Sequence, residues 1–375
     1  MGRDPVVVVG LLGPGGGVVA MDEDGGEGLE QRLRGAWQGR VSGCMLGKAV
    51  EIYSMTQGQE ALTEYLASAD ALPLRDYIPL IEGAPAKIFG SACRGQFSAS
   101  AADDDINYSL LALELLEAHG RALRTEDVAR AWLNRLPAGM TFTAERAAYR
   151  TLLSEGAEWF AGGAEPGFDL SRCSDNPYNE WIGAQIRADV YGWVTPGDPG
   201  LAGQLARVDA ELSHRGDGVD GAVLVAAWGA ALPGSANLDA ALELASAQVA
   251  PGGGVAQAIA LARKNAAAGD GPAAIHRHYA GMSPVHTLNN LALVVWALLR
   301  HPDDFGAAVG DVVAAGWDTD CNGATVGALW ALQGKPVPEA WTRPWQDRVG
   351  VSLAGQEQLS LAELVRRTAA VARSL

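Results

Sequence analysis

Apolar residues recur along most of the chain at the spacing of helix turns, whereas the period-two alternation of strands is scarce. The stretch INYSLLALELLEAH, residues 106–119, consists mostly of strong helix formers and stops at Gly120. Thr125 and Thr143 are placed to cap the next two helices. The same pattern predicts further helices over 201–213, 219–232, 238–249, 254–267, 288–300, 303–314, 322–333 and 360–374.

These helices predict one compact all-α domain over residues 29–375, because no long linker divides the chain and no repeat of fixed period is present. Residues 160–200 are expected to form an irregular excursion from it. Gly323, Gly327 and Ala331 fall on one face of a predicted helix. Small residues in this arrangement predict that another helix approaches closely there.

The first 28 residues contain one short apolar run, which a Gly-Pro-Gly-Gly-Gly segment breaks. The run is too short to span a bilayer. It also lacks the basic start and the small-residue cleavage site of a signal peptide. We therefore expect a flexible tail over residues 1–28, with Met21 as an alternative start, and no transmembrane segment elsewhere.

The composition and net charge limit the kinds of molecule that the protein is expected to bind. The 375 residues are 48% hydrophobic and 19% charged, which fits a globular protein with a sizeable core. The formal net charge of −16 disfavours nucleic acid and membrane as partners, since both require a basic surface. The four cysteines lie far apart, which predicts no disulfide framework and a reducing, cytoplasmic location. A small polar or metal-bound substrate fits better, and a monomer is the simplest expectation.

Several common catalytic motifs are absent. The stretch SGCMLGKAV resembles a phosphate-binding loop, but Ser42 stands where that motif has glycine and Ala49 where it has a hydroxyl residue. The sequence contains neither G-x-S-x-G nor H-E-x-x-H. It therefore argues against a serine hydrolase and a zinc protease.

Five aspartates stand at the starts of two predicted helices: Asp103, Asp104, Asp105, Asp318 and Asp320. One interpretation is a pair of solvated helix N-termini, where carboxylates favour the positive end of the helix dipole and cap the helix. The other is a metal site, because adjacent carboxylates repel each other and a cation relieves that repulsion. Magnesium and manganese require several hard oxygen ligands, and the two helix starts together could hold two such ions.

Four stretches, in order, resemble motifs of the ADP-ribosylglycohydrolase family and together span nearly the whole chain beyond the tail. They are GCMLGKAVE (43–51), DDDINYSLLAL (103–113), IGAQIRADVYG (182–192) with DAELSH (209–214), and GWDTDCNGATVGA (316–328). They are similar to the family's G-D-A-x-G-x-P-x-E, its threonine–Asp–Asp helix start, its N-G-A-x-M-R loop with a later threonine–histidine pair, and its G-G-D-T-D-T-x-A-A-x-x-G-A. The resemblance implies an orthogonal helical bundle and a magnesium-dependent hydrolase that removes ADP-ribose from proteins or small molecules.

The resemblance also implies roles for individual residues. Its two Mg²⁺ ions, or Mn²⁺ in their place, would be held by Asp103, Asp104, Asp105, Asp318 and Asp320. Glu51 would position the leaving group or move a proton, and Asp104 is the second catalytic candidate. Gly183 and Gln185 match a loop that lines the family's ribose and phosphate pocket, and His214 matches its later histidine. A tight turn and a buried structural histidine are the other interpretations of these three residues.

The chain departs from the family motifs at several positions. Cys44 replaces the opening aspartate, and Lys48 enters the same motif. Asp103 and Ile106 stand where the second motif has threonines. One residue of slippage would align Ala102 with the first of these threonines, so the three aspartates cannot be ranked.

Cys321 stands where the family has a threonine ligand, and a soft thiol is poorly matched to magnesium. A small buried packing residue is its other interpretation. The sequence as a whole predicts a metal-dependent hydrolase that cleaves a glycosidic bond to ribose in an ADP-ribosylated or nucleotide-like substrate. One alternative is a small-molecule ribosyl hydrolase in nucleoside or natural-product metabolism. The other is a non-catalytic ADP-ribose-binding homologue, which Cys44 and Cys321 favour.

Overall fold

Helices make up almost all of the regular structure in the computed structural model, which describes residues 25–156, 159 and 166–375. The described residues form seventeen α-helices and one two-stranded antiparallel sheet. The helices pack around one continuous hydrophobic core. The predicted all-α single domain is therefore confirmed.

The first nine of these helices are α1 (Gly25–Lys48), α2 (Glu51–Ser68), α3 (Asp104–His119), α4 (Thr125–Arg135), α5 (Thr143–Glu155), α6 (Gly183–Ile186), α7 (Asp189–Trp193), α8 (Pro199–Ala210) and α9 (Gly216–Ala231). The others are α10 (Leu238–Ser246), α11 (Gly254–Ala267), α12 (Ala273–His278), α13 (Thr287–Arg300), α14 (Phe305–Ala314), α15 (Thr319–Leu332), α16 (Glu339–Thr342) and α17 (Leu361–Ser374). Before α17, β1 (Arg348–Gly350) pairs antiparallel with β2 (Gln358–Ser360).

Every helix predicted from the apolar pattern is present, with ends shifted by a few residues. The pattern did not predict the long helices α1 and α2. Residues 166–200 contain a 3₁₀ turn and the short helices α6 and α7, in keeping with the expected irregular excursion. Most of the predicted tail, residues 1–24, lies outside the described residues, and α1 begins at Gly25.

The prediction that Thr125 and Thr143 cap their helices is wrong. Each is instead the first residue of its helix, and neither α4 nor α5 has a side-chain bond from its capping residue. The hydroxyl of Thr125 donates to the carbonyl of Val208 at 2.8 Å, so it ties α4 to α8. The carboxylate of Asp127 accepts the N–H of Arg124 at 3.0 Å and satisfies this helix start.

The antiparallel pair formed by α1 and α15 lies at the centre of the fold. Gly39 lies against Gly327, and Gly43 lies against Gly323. A Cβ atom at any of these four positions would overlap a backbone carbonyl of the opposite helix. The two backbones therefore touch without side chains between them, which only glycine permits.

The contact continues to both ends of this pair. Gly35 lies against Ala331, and Gly47 lies against Thr319, whose hydroxyl donates to the Gly47 carbonyl at 2.8 Å. The predicted face of small residues is therefore confirmed as a helix-packing surface. Every residue of α15 is buried, as expected for a helix that α1, α13 and α14 surround.

Membrane insertion receives no support from the helices that the structure describes, because none is long and apolar enough to cross a bilayer.

We expect Gly327→Ala to lower the free energy of unfolding by about 3 kcal/mol, because the added methyl group overlaps the Gly39 carbonyl and forces the two backbones apart. Chemical denaturation measures this change. Gly28→Ala is the matched control, since Gly28 is exposed in α1 and an added methyl meets no atom within 4 Å. The control should be neutral or slightly stabilising. Equal stability of the two variants would contradict the close backbone contact.

Candidate functional site

Four helix ends meet in one place: the end of α1 and the starts of α2, α3 and α15. α1 ends at Lys48, and α2 begins three residues later at Glu51. The start of α3 contributes residues 103–105, and the start of α15 contributes residues 318–320. The structure thus brings Glu51 and all five predicted metal ligands into one cluster of acidic side chains, which we call the acid cluster.

Potential ligand atoms in the acid cluster form three overlapping groups, in each of which the atoms lie within 4.8 Å of one another. The groups are Cys44–Asp103–Asp105, Asp105–Asp320–Cys321 and Glu51–Asp318–Asp320. The first two each include a thiol. Of the three groups, Glu51–Asp318–Asp320 is the one made entirely of carboxylate oxygens, the ligands that hard divalent cations prefer.

Three carboxylate oxygens of the acid cluster have no hydrogen-bond donor among the described residues: Asp105 Oδ2, Asp318 Oδ1 and Asp320 Oδ1. The residues are 0%, 4% and 2% exposed, so bulk water does not satisfy these atoms. A buried carboxylate oxygen without a donor costs free energy, and a coordinated cation removes that cost. Asp318 and Asp320, which hold two of these oxygens, form the all-carboxylate group together with Glu51. This group therefore fits a hard divalent ion.

The start of α15 holds its two aspartates in different ways. Asp318 precedes the helix, and Trp317 before it has a positive φ of 60°. The carbonyl oxygen of the Asn290 side chain accepts the N–H of Asp318 at 3.2 Å and the amide of Asn322 at 2.7 Å. The Asp318 carboxylate makes no capping bond, and Asp320 lies within the first turn. The interpretation that both cap a helix beginning near Asn322 is wrong, because the helix begins at Thr319.

The start of α3 carries two ion pairs. Asp103 caps the helix by accepting the N–H of Asp105 at 2.9 Å, and it forms a short ion pair with Lys48. Asp105 pairs with Arg40 at 3.1 Å. Asp103 and Asp105 are 3% and 0% exposed, so the interpretation of a solvated helix start is wrong. Asp104, between them, is partly exposed.

Burial and mutual repulsion determine the protonation of the acid cluster. Burial raises the pKa of four aspartates, and neighbouring carboxylates raise it further: Asp104, Asp105, Asp318 and Asp320. Burial, Asp318 and Asp103 raise the pKa of Glu51 to about 7. Asp103 is the exception, because the Lys48 ammonium outweighs burial and lowers its pKa.

The two thiols of the acid cluster are neutral. Burial, followed by the nearby aspartates, raises the pKa of Cys44 and of Cys321 well above its ordinary value. A protonated thiol is a weak ligand, and it is weakest toward a hard ion such as magnesium. All four cysteines are unpaired, which confirms the prediction that they form no disulfide framework.

His214 belongs to a neighbouring buried polar network, and Gly183 and Gln185 lie on the short helix α6 beside it. Arg187 pairs with Glu145 at 2.7 Å, and His214 Nε2 lies 3.8 Å from the same carboxylate. A Cβ at Gly183 would overlap this carboxylate, so glycine is required there. Gln185 is fully buried, and its amide nitrogen and oxygen both lack hydrogen-bond partners in the described structure.

Tyr108 connects this network to the acid cluster. It lies one turn after Asp104 in α3, and the Arg187 guanidinium lies 5.8 Å from its ring centroid. Burial raises its pKa well above the ordinary value, and the charges of Glu145 and Asp104 add to this effect. The polar network near Gln185 and His214 and the acid cluster around Asp104 therefore share one neighbour, the Tyr108 side chain.

Sequence reasoning missed the roles of Arg40, Lys48 and Asn290. Arg40 and Lys48 lie four residues before and after Cys44, so all three share one face of α1. Prediction of α1 would have revealed that basic side chains accompany the motif. Asn290 carried no signal of its own, because its partners lie 28 and 32 residues further along the chain.

Comparison with known proteins identifies the family. The sequence profile of the ADP-ribosylglycohydrolase family matches residues 26–373. A solved structure titled "ADP-ribosylglycohydrolase-related protein complex" has a TM-score of 0.51 and 19% identity, and the match covers 92% of this chain and 99% of that chain. This likeness shows the fold. The curated proteins include no match to the sequence. Because the profile covers nearly all of the described residues, the chain belongs to the ADP-ribosylglycohydrolase family, a family of hydrolases known for metal dependence.

Proposed function

We propose that the chain is a metal-dependent hydrolase that cleaves a glycosidic bond to ribose in an ADP-ribosylated or nucleotide-like substrate. The observation that carries the proposal is the all-carboxylate group Glu51–Asp318–Asp320, whose ligand atoms lie within 4.8 Å of one another. Asp318 and Asp320 each keep a buried oxygen without a hydrogen-bond donor. Family membership supports the glycohydrolase activity.

Glu51, Asp318 and Asp320 would hold Mg²⁺, or Mn²⁺ in its place. The bound cation would supply an anchor for the sugar hydroxyls and Lewis-acid polarisation. The resemblance of the sequence implies two ions, and the remaining predicted ligands are Asp103, Asp104 and Asp105.

Glu51 is the proposed proton-carrying residue. It is partly exposed, whereas Asp318 and Asp320 are buried, so its carboxyl is the one that solvent and substrate can reach. Its pKa is about 7 in the metal-free protein, so the carboxyl would exchange a proton near neutral pH in the steps in which it does not coordinate the cation. Glu51 would donate a proton to the departing aglycone or accept one from the attacking water.

Negative charge around the sugar would stabilise the reacting carbon. Departure of the aglycone leaves positive charge at the anomeric carbon, and fixed carboxylates lower the energy of that state. Asp104 is partly exposed and interacts electrostatically with Glu51. We propose that Asp104 faces the same sugar and provides this charge once a bound cation has lowered its raised pKa.

We propose that Gly183, Gln185 and His214 form the floor of the substrate pocket, because all three are buried. Gln185 offers an unused donor and an unused acceptor, which suit a ribose hydroxyl or a phosphate oxygen. Burial and the Arg187 charge lower the pKa of His214 well below its ordinary value, so it is neutral. A cytoplasmic location, a monomeric state and the absence of nucleic-acid partners stay predictions.

A panel of ribosylated compounds tests the proposal and separates its alternatives. ADP-ribosyl-arginine, ADP-ribosyl-serine, nucleosides and simple ribosides would be incubated with the protein and Mg²⁺, Mn²⁺ or a chelator. Metal-dependent release of ADP-ribose supports the proposal. Release of ribose from the simple compounds alone favours a small-molecule ribosyl hydrolase. Binding of ADP-ribose without turnover of any compound favours the non-catalytic homologue, as the neutral thiols of Cys44 and Cys321 would suggest.

We expect Asp320→Asn to weaken Mn²⁺ binding by about 100-fold or more and to abolish turnover, since even changes around a ligand cost about 10- to 100-fold in metal affinity. Calorimetric titration measures the affinity. Without metal, the variant should melt at an equal or higher temperature than the parent, because a neutral amide relieves the repulsion that raises the pKa of Asp320. Asp303→Asn, at an 85% exposed side chain, is the control. A large loss of metal-free stability in Asp320→Asn alone would indicate a structural role instead.

We expect the stability of the metal-free protein to fall as pH rises from about 4.5 to about 7, the window between the ordinary and folded pKa values of Glu51. In that window the folded Glu51 holds a proton that the unfolded chain has released, so raising the pH disfavours folding. Glu51→Gln should reduce this dependence, and Glu60→Gln, at an exposed position in α2, should not. Thermal melting in the presence of a chelator measures the effect. Identical pH profiles for Glu51→Gln and the parent would contradict the raised pKa.

A further inference from the structure

Both carboxylate oxygens of Asp103 already have a donor from the polypeptide. Its Oδ1 accepts the N–H of Asp105 at 2.9 Å, and its Oδ2 is held by the Lys48 ammonium. The side chains of Asp103 and Lys48 are 2% and 16% exposed, so water screens this ion pair only weakly. The ammonium also lies 5.4 Å from the ring centroid of Phe89, which confines it over the start of α3.

Lys48 interacts with carboxylates of both acidic helix starts. Its ammonium pairs with the buried Asp103 carboxylate, and the Asp320 carboxylate also attracts its positive charge. Asp103 belongs to the α3 start and Asp320 to the α15 start. The Lys48 side chain therefore supplies a positive charge that the carboxylates of both helix starts stabilise.

Arg40 supplies a second fixed positive charge beneath the α3 start. Its side chain is fully buried and pairs with Asp105 at 3.1 Å and with Asp189 at 2.8 Å. It also donates to the main-chain carbonyls of Asp105 and Ile186. Both carboxylates of the Cys44–Asp103–Asp105 group thus have a basic side chain as partner, and the third member of the group is a neutral thiol.

The Glu51–Asp318–Asp320 group differs in each of these respects. No Lys or Arg within the described residues forms a salt bridge with any of its members. Two of its carboxylates keep an unsatisfied oxygen, whereas the other group keeps one, on Asp105 beside Arg40. Its donors are all oxygens. One part of the acid cluster is therefore suited to an exchangeable divalent ion, and the other part is already neutralised by the chain.

We infer that the Lys48 ammonium takes the place of a second divalent ion, and that the chain binds a single Mg²⁺ or Mn²⁺ ion at Glu51, Asp318 and Asp320. This inference rests on the proposed function, because it specifies the metal content of the same site. Lys48 would then hold Asp103 and the α3 start in place, whether or not the divalent ion is bound.

The number of bound ions tests this inference directly. The full-length protein, freed of metal by a chelator and dialysed, would be titrated with Mn²⁺, with stoichiometry from calorimetry and elemental analysis. Electron paramagnetic resonance provides a second readout, because a single Mn²⁺ and a spin-coupled pair have different spectra. The variants are Lys48→Met, which keeps the length of the side chain and removes its charge, and Lys48→Arg, which keeps the charge. Lys335→Met is the control, since Lys335 pairs with Asp303 at 2.6 Å on the surface.

The parent, Lys48→Arg and Lys335→Met should each bind one Mn²⁺ per chain and show the spectrum of an isolated ion. Lys48→Met should bind two, with a spin-coupled spectrum, and its melting temperature should rise more on Mn²⁺ addition than that of the parent. Two ions in the parent would overturn the inference and leave the proposed function intact. One ion in both the parent and Lys48→Met would also overturn it. No ion in any variant would overturn the proposed metal dependence itself.

Discussion

Direct contact between two helix backbones sets the distance between the end of α1 and the start of α15, beside which the acid cluster lies. Gly39 and Gly43 of α1 lie on Gly327 and Gly323 of α15, with no side chain between them. Helices separated by ordinary side chains lie about 8–10 Å apart at their axes. At such a distance the end of α1 and the start of α15 would not bring their ligand atoms together. The proposed metal site therefore depends on glycine, which has no reactive side chain.

The same close packing forces carboxylates into a site that water hardly reaches, and the protein balances them in two ways. Asp103 and Asp105 are neutralised by Lys48 and Arg40, which are permanent parts of the chain. The other acids, and Asp105 despite its ion pair, have raised pKa values that favour bound protons, and the proposed metal ion would replace some of these protons. The fixed charges of Lys48 and Arg40 hold the cluster in shape. Exchangeable protons and metal ions let the charge of the other carboxylates change with the substrate and the solution.

Periodicity predicted the helices with a clear apolar pattern or many strong helix formers, such as α3, α11 and α13, and the family motifs located the acids. It missed α1 because Gly35, Gly39, Gly43 and Gly47 lower the local helix propensity, and contact with α15 compensates for this loss. The ion pairs escaped prediction for a related reason. Lys48 and Arg40 reach partners 55 and 65 residues away, and only the folded chain brings them together.

The facing glycines also restrict how this sequence can diverge. Packed cores usually change through compensating exchanges, in which one residue grows while its neighbour shrinks. Glycine has no side-chain atom to lose, so an enlargement at Gly39 cannot be offset at Gly327, nor one at Gly43 by Gly323. Compensating exchanges remain possible in the outer helices and in the loops that border the proposed substrate pocket. Descendants of this protein could therefore acquire new substrates while the inner helix pair stays unchanged.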